Sequence, residues 1–325
     1  QAAKNADVLM VSPASTTSAI TQLEDKGLLW RTVPSDEEQG KALAGAIAEQ
    51  GFERVAVVSR DDAYGNGLRE RIQAELCGVL GFDCTTSYKG YVYAPPEGEV
   101  FDLDFAPEVQ AFAPNLVVMV SYLDDGVAAI QALSAEGLVR FWATDGMKSE
   151  ELGPLIANDD VVCKLLGTSP AQPTTFYSGF TTNFETKFGQ TPGTFVSNAY
   201  DALYLVAYAA AAAQGLGGPL DGPSIAAGLK RLSGAGAPQF EVGRLDWNTG
   251  ITALTSDAEA EIDLTGASGT LTFDPDTGQP SGPVEVWRFG VVSGEIESLG
   301  VIYTPADGYT SLPTAGLSRD GICEL

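Results

Sequence analysis

Six hydroxyl side chains, Ser12, Ser15, Thr16, Thr17, Ser18 and Thr21, crowd the stretch VLMVSPASTTSAIT at residues 8–21, directly after an apolar start. A strand that ends in a tight turn and opens a helix aims unpaired backbone N–H groups outward, at the positive end of the helix dipole. Hydroxyls at Ser15 and Thr16 would add donors, a chemistry that suits a carboxylate without a lysine or arginine. The competing reading has Thr17 or Ser18 capping its own helix and the others serving the turn. Asp145 closes the run RFWATD at its carboxyl end, the edge where open parallel sheets take ligands. There it can pair with an ammonium group, or form a turn ahead of Gly146. Ser121 and Tyr122 end the run LVVMVS at the same edge, as an orienting hydroxyl and a covering ring or as ordinary packing. Tyr64, in RDDAYGNG, is equally a ligand contact and a packing residue. Asp201 is the single charge in AYDALYLVAYAAAAA and needs a partner; a structural one is favoured over the cleft.

Composition removes most other chemistries. With 43 acidic against 18 basic residues the net charge is −25, which opposes binding to phosphate backbones and to anionic lipid surfaces, so no nucleic acid is expected as partner. The chain has no histidine, the commonest general base and zinc ligand, and no paired acidic motif replaces it. No catalytic residue, metal or cofactor is therefore assigned. The run YGNGLRE has Gly65 and Gly67 but Glu70 in place of a third glycine, which argues against a dinucleotide turn. In DPDTGQPSGPVE, Asp274, Asp276 and Glu285 fall at calcium-loop positions, but the central glycine is displaced, and a β-turn is the better reading.

Alternating elements must position these residues. PSDEE at 34–38 offers Ser35 and Glu38 as the capping box of a helix running to about Gln50. RVAVVSR, LVVMVS and RFWATD are near-continuous apolar strands separated by helices at 67–80 and 125–137, the pattern of βαβ units with a parallel sheet covered on both faces. SPAQPTT is a proline-rich join, helices follow, and strand-like pieces close the chain. At 325 residues two domains are expected: 1–60 with 171–283, and 61–170 with 284–325. The longest apolar run carries Asp201 and is too short for the roughly 20 residues of a membrane span. Cys77 and Cys84 bracket a helix end and a strand start, a geometry that fits a local disulfide. Cys163 and Cys323 remain, and their pairing would tie the C-terminus to the body; four reduced core thiols are the alternative.

The ordered series VLMVSPASTTSAIT, WRTVPSDEEQGKALA, VAVVSRDDAYGNGL, APNLVVMVSYLDDGVAAIQALSAEGL, FWATDGM, NAYDALYLVAYA and GASGTLTFDPDTG resembles that of type I periplasmic solute-binding proteins, in their branched-chain amino acid binding branch. The resemblance covers nearly the whole chain. It implies an α/β fold of two Rossmann-like lobes with parallel sheets flanked by helices, joined by a multi-strand hinge. The family begins with further βα units, so the first lobe is expected to lack its N-terminal part here. Ser15 and Thr16 match carboxylate contacts of the family, with Ala14 beside them, and Asp145 matches an acidic ligand for ammonium. The function implied is an extracytoplasmic binding protein that captures a small amino acid or related carboxylate by hinge closure and delivers it to ABC permease subunits. A monomer is expected, processed from a signal peptide and located in the periplasm or at the outer face of the cell membrane, with or without a lipid anchor. A ligand-sensing ectodomain is the alternative, and an enzyme is the weaker one.

Overall fold

The computed structural model describes residues 2–98, 101–172, 175–215, 217–234, 236–290 and 294–312. The chain forms two compact units, Gln1–Ser35 with Ala171–Gly282 and Asp36–Pro170 with Pro283–Leu325, so it passes between them three times. The first passage follows Ser35, not residue 60 as the sequence suggests. The cause is the strand Val55–Arg60, which pairs in parallel with both Tyr88–Tyr93 and Leu116–Val120 and so is central to the second unit. The helix Asp36–Glu49 goes with it, burying Leu43 and Ile47 in the same core as Val55 and Val57.

The second unit is built on an eight-stranded sheet. Tyr88–Tyr93, Val55–Arg60, Leu116–Val120, Phe141–Ala143 and Leu166–Pro170 are neighbours in that order and all run parallel. Val284–Phe289 then joins antiparallel to Leu166–Pro170 and is followed by Ile296–Thr304 and Gly308–Tyr309. Side-chain alternation sorts each apolar run between two cores. Val55, Val57, Leu116, Val118 and Val120 pack under Leu43, Ile47, Leu68 and Ile72 on one face. Ala56, Val58, Val117, Met119, Phe141 and Ala143 pack under Val109, Ile130 and Leu133 on the other. A disulfide joins Cys77, in the π-helical end Ala74–Val79, to Cys84 in the turn ahead of Tyr88, with Cα atoms 5.7 Å apart. Among the described residues no cysteine is free. Cys323, the expected partner of Cys163, lies outside them.

The first unit has less sheet. Met10–Ser12 and Leu29–Arg31 form a parallel pair, Gln239–Glu241, Asp263–Gly266 and Gly269–Thr270 a separate mixed sheet, and Phe273–Asp274 pairs with Gln279–Pro280. The helix Val196–Gly215 organises the core, with Leu205, Tyr208, Ala209 and Ala212 buried against Leu229, Leu254, Leu264 and Trp30. No helix of the described residues is long and apolar enough to cross a membrane. Asp201 is fully buried on this helix and anchors a turn: its carboxylate accepts from Ala267 N (3.0 Å), Ser268 N (2.7 Å) and Ser268 Oγ (2.5 Å). Gly266 is required beside it, because a Cβ there would stand 2.2 Å from Asp201 Oδ2.

Burial pushes the Asp201 carboxyl from 3.8 up to about 6, against hydrogen bonds that favour its charge. In that window the folded chain keeps a proton that the unfolded chain has released, so this group's contribution to stability falls as pH rises through it. Asp201→Asn removes that slope and also costs about 1–3 kcal/mol, because an amide cannot accept all three bonds. In thermal melts, the advantage of the wild type over Asp201→Asn should narrow between about pH 4 and pH 6. A constant or widening advantage would contradict the assignment.

Candidate functional site

At the carboxyl ends of the parallel strands of the second unit, side chains from three successive connections meet. Asp62 caps the helix Ala63–Gln73 by accepting from Gly65 N at 2.8 Å. Gly65 lets that helix start lie against the strand before it, since a Cβ would sit 2.0 Å from Arg60 O. This close approach turns Tyr64 inward, where its hydroxyl lies 2.8 Å from Thr144 Oγ1 and 2.9 Å from Asp145 Oδ1. The Thr144 hydroxyl donates to Met119 O at 3.1 Å, so its oxygen is left to accept. The single phenol proton is thus shared between Thr144 and Asp145, while Gly146 N donates to the phenol oxygen at 3.3 Å. Gly146 is also constrained: a Cβ would stand 2.6 Å from Ser121 O.

Asp145 is 4% exposed. Burial raises its carboxyl above the ordinary aspartate value, opposed by hydrogen bonds from Tyr64, Gln39 and the backbone. Gln39 Nε2 also donates to Thr168 O (3.1 Å) and Thr168 Oγ1 (3.2 Å). A desolvated carboxylate that holds on to its proton is a group whose charge is restored by a cation. Tyr122 supplies the open side of this cluster. It is 43% exposed, stacks on Tyr64 at 5.4 Å and carries the Arg60 guanidinium 5.1 Å from its ring centre.

The expected residues are therefore not equivalent. Tyr64, Tyr122 and Asp145 come together, but Ser121 is fully buried and accepts from Tyr93 OH at 2.7 Å, behind the rings. Sequence reasoning did not single out the layer that holds them: Arg60 pairs with Asp62 at 2.9 Å and Asp125 at 3.0 Å, and Asp125 also accepts from Tyr93 at 2.9 Å. Arg60 and Asp125 sit at a strand end and in a first helical turn, positions that look solvated in sequence.

In the first unit the segment after Met10–Ser12 departs from expectation. No α-helix begins there: Ser18–Gln22 is a five-residue 3₁₀ turn capped by Thr17, whose Oγ1 accepts from Ala19 N. The hydroxyls themselves explain this. Ser12 Oγ takes Ser15 N at 3.1 Å and donates to Ser15 Oγ at 2.8 Å, and Thr21 Oγ1 donates to Ser18 O at 2.7 Å, so side chains compete with helical bonding. A segment this short carries little macrodipole, so the expected helix dipole does not stand behind the loop. What shapes the loop is Arg31, which the sequence reading passed over. It is 1% exposed, and its Nη1 donates to Ser15 O (3.1 Å), Thr16 O (2.8 Å) and Thr17 O (3.0 Å), while Nη2 donates to Gln279 Oε1. Ala14 and Ser15 are exposed on the loop, and Thr16 is buried.

The calcium-loop look-alike is a turn: Asp274 Oδ1 accepts from Asp276 N (2.8 Å) and Thr277 N (3.3 Å), closing a hairpin. Among the described residues no group of three or more acidic or cysteine side chains is arranged to hold a metal. The hydrogen bonds of the Tyr64 cluster predict a difference between two tyrosines. Tyr64→Phe should lower the unfolding free energy by about 1–3 kcal/mol, and Tyr122→Phe, whose hydroxyl bonds to none of the described residues, by less than about 0.5 kcal/mol, measured by urea denaturation. Equal effects would remove the network from the account.

Comparison with known proteins agrees with this architecture. The fold is similar to that of a leucine binding protein from Thermotoga maritima (TM-score 0.71, 23% identity, 94% of this chain and 76% of that one). It is also similar to a branched-chain amino acid transporter substrate binding protein from Streptococcus pneumoniae in complex with isoleucine (0.65, 18%, 92% and 74%). A solute binding protein of an ABC transporter from R. palustris, in complex with benzoate, is similar at 0.65 and 14%, over 95% and 74%. An uncharacterized protein of Methanocaldococcus jannaschii is 32% identical over 80 residues, 23% of this chain and only 19% of its own length. A family model described as receptor family ligand binding region matches residues 1–290. The chain belongs to the receptor family ligand binding region family.

Proposed function

We propose that this chain is the solute-binding component of an ABC-type importer and takes a small amino acid or related carboxylate. The observation that carries the reading is the buried Asp145 carboxylate, held by Tyr64 beneath the exposed Tyr122 at the carboxyl end of a parallel sheet. Such a group is costly to charge alone and is relieved by an ammonium partner. In this reading Ala14, Ser15 and Thr16 receive the ligand carboxylate, Asp145 receives its ammonium, and Tyr64 and Tyr122 line the contact, with Ser121 supporting them from behind. The two units close on the ligand because it makes contacts in the closed state that the open state lacks, and no bond is made or broken. The amino acid and carboxylate ligands of the structural neighbours support the ligand class. The reading places the protein outside the cytoplasmic membrane, as a monomer that hands its cargo to permease subunits.

A thermal-shift screen against the common amino acids and simple carboxylates, benzoate included, tests it, since a ligand that binds only the folded chain raises the melting temperature. At least one α-amino acid or carboxylate should do so. For that ligand, Ser15→Ala should weaken binding about 5- to 30-fold and Asp145→Asn about 30-fold or more. A binder whose affinity both variants leave unchanged would show that the site is elsewhere, and an unresponsive panel would remove the proposed ligand class.

A further inference from the structure

We infer that Arg31 is the positioning residue that makes the Ser15–Ser18 loop selective for anions, although it is too deeply buried to touch a ligand. This rests on the reading of that loop as the carboxylate-receiving element. Arg31 is 1% exposed, and one of its nitrogens gathers three consecutive carbonyl oxygens, those of Ser15, Thr16 and Thr17. The described residues contain no cis peptide bond, and in a trans peptide the N–H points opposite to its C=O. Drawing those three oxygens toward one guanidinium therefore turns the N–H groups of Thr16, Thr17 and Ser18 to the far side of the loop. Thr16 is only 3% exposed, and neither its N–H nor that of Ser18 has a hydrogen-bond acceptor among the described residues. Nearly every buried backbone donor has a partner, so the buried Thr16 amide calls for an acceptor, and the half-buried Ser18 amide on the same side of the loop can share it.

Hydrogen bonding at the carbonyl also polarises the peptide and strengthens its N–H as a donor, so the guanidinium acts through the peptide units on whatever they face. Gln279 fixes the other nitrogen of the fork, tying the loop to the hairpin strand Gln279–Pro280. The planar fork is what allows one side chain to hold both; an ammonium is a single point and cannot. The chemistry recognised is that of an anion with oxygen acceptors, and the role of Arg31 is to set donor direction.

Nitrogen-15 NMR of the whole chain, titrated with acetate and separately with the neutral isostere acetamide, tests this. In the wild type acetate should shift the Thr16 and Ser18 amides saturably, and acetamide should bind at least about tenfold more weakly. Arg31→Lys, and Gln279→Leu as the milder lesion should Arg31→Lys fail to fold, should reduce that acetate-to-acetamide ratio at least about threefold; a role confined to stability would weaken both probes equally and leave the ratio unchanged. A wild type without an acetate response at these amides, or variants that keep the ratio, would overturn the inference. If acetate moves the amides with the expected ratio while no amino acid or larger carboxylate of the panel raises the melting temperature, the transport reading fails and the inference stands. If a ligand binds and both variants keep the ratio, the inference alone fails.

Discussion

A carboxylate taken out of water at the end of a parallel sheet governs the second unit. Asp145 stays there because the Tyr64 hydroxyl donates to it, and that donor depends on further constraints. Tyr64 reaches Asp145 only because Gly65 lets its helix begin against Arg60 O, and the loop folds in only because Gly146 leaves room for Ser121 O. Thr144 contributes an oxygen whose own proton is spent on Met119 O. The cluster is over-determined by backbone packing, which is how a costly group is held in one geometry.

Buried arginines play a matching part in the first unit. Arg31 collects the carbonyls of one loop, and Arg231 does the same for Ala212, Leu254, Asp257 and Ala260, fastening the ends of two helices. In a chain with 18 basic residues against 43 acidic ones, these two cations sit inside on backbone oxygens. Guanidinium suits that use, since it offers several donors in fixed directions and is weakly hydrated compared with an ammonium.

The parallel sheet was legible because VAVVS, LVVMV and FWA are apolar on both faces, a pattern that only a doubly covered strand requires. The placement of Asp145 and Tyr122 at the carboxyl edge of the sheet was legible from their position just after such runs. The boundary after Ser35 was not, since a helix and strand that follow one another carry no mark of which core they join; the partners of Val55–Arg60 decide it. The hydroxyl run suggested a helix start, but hydroxyls that bond to nearby backbone shorten helices as readily as they cap them, and only a 3₁₀ turn forms. Arg31 was invisible for a related reason: within LLWRTV nothing announces that a guanidinium will fold back onto carbonyls 14 to 16 residues earlier.

The proposed function requires Asp145 to meet a ligand cation. Carbon-13 NMR titration of its side-chain carboxyl, in the free chain and with a saturating amino acid, measures this directly. In the free chain burial should hold its midpoint above the ordinary aspartate value, and the bound ammonium should bring it down, with protons released on binding. A midpoint that binding leaves unchanged would contradict the central claim.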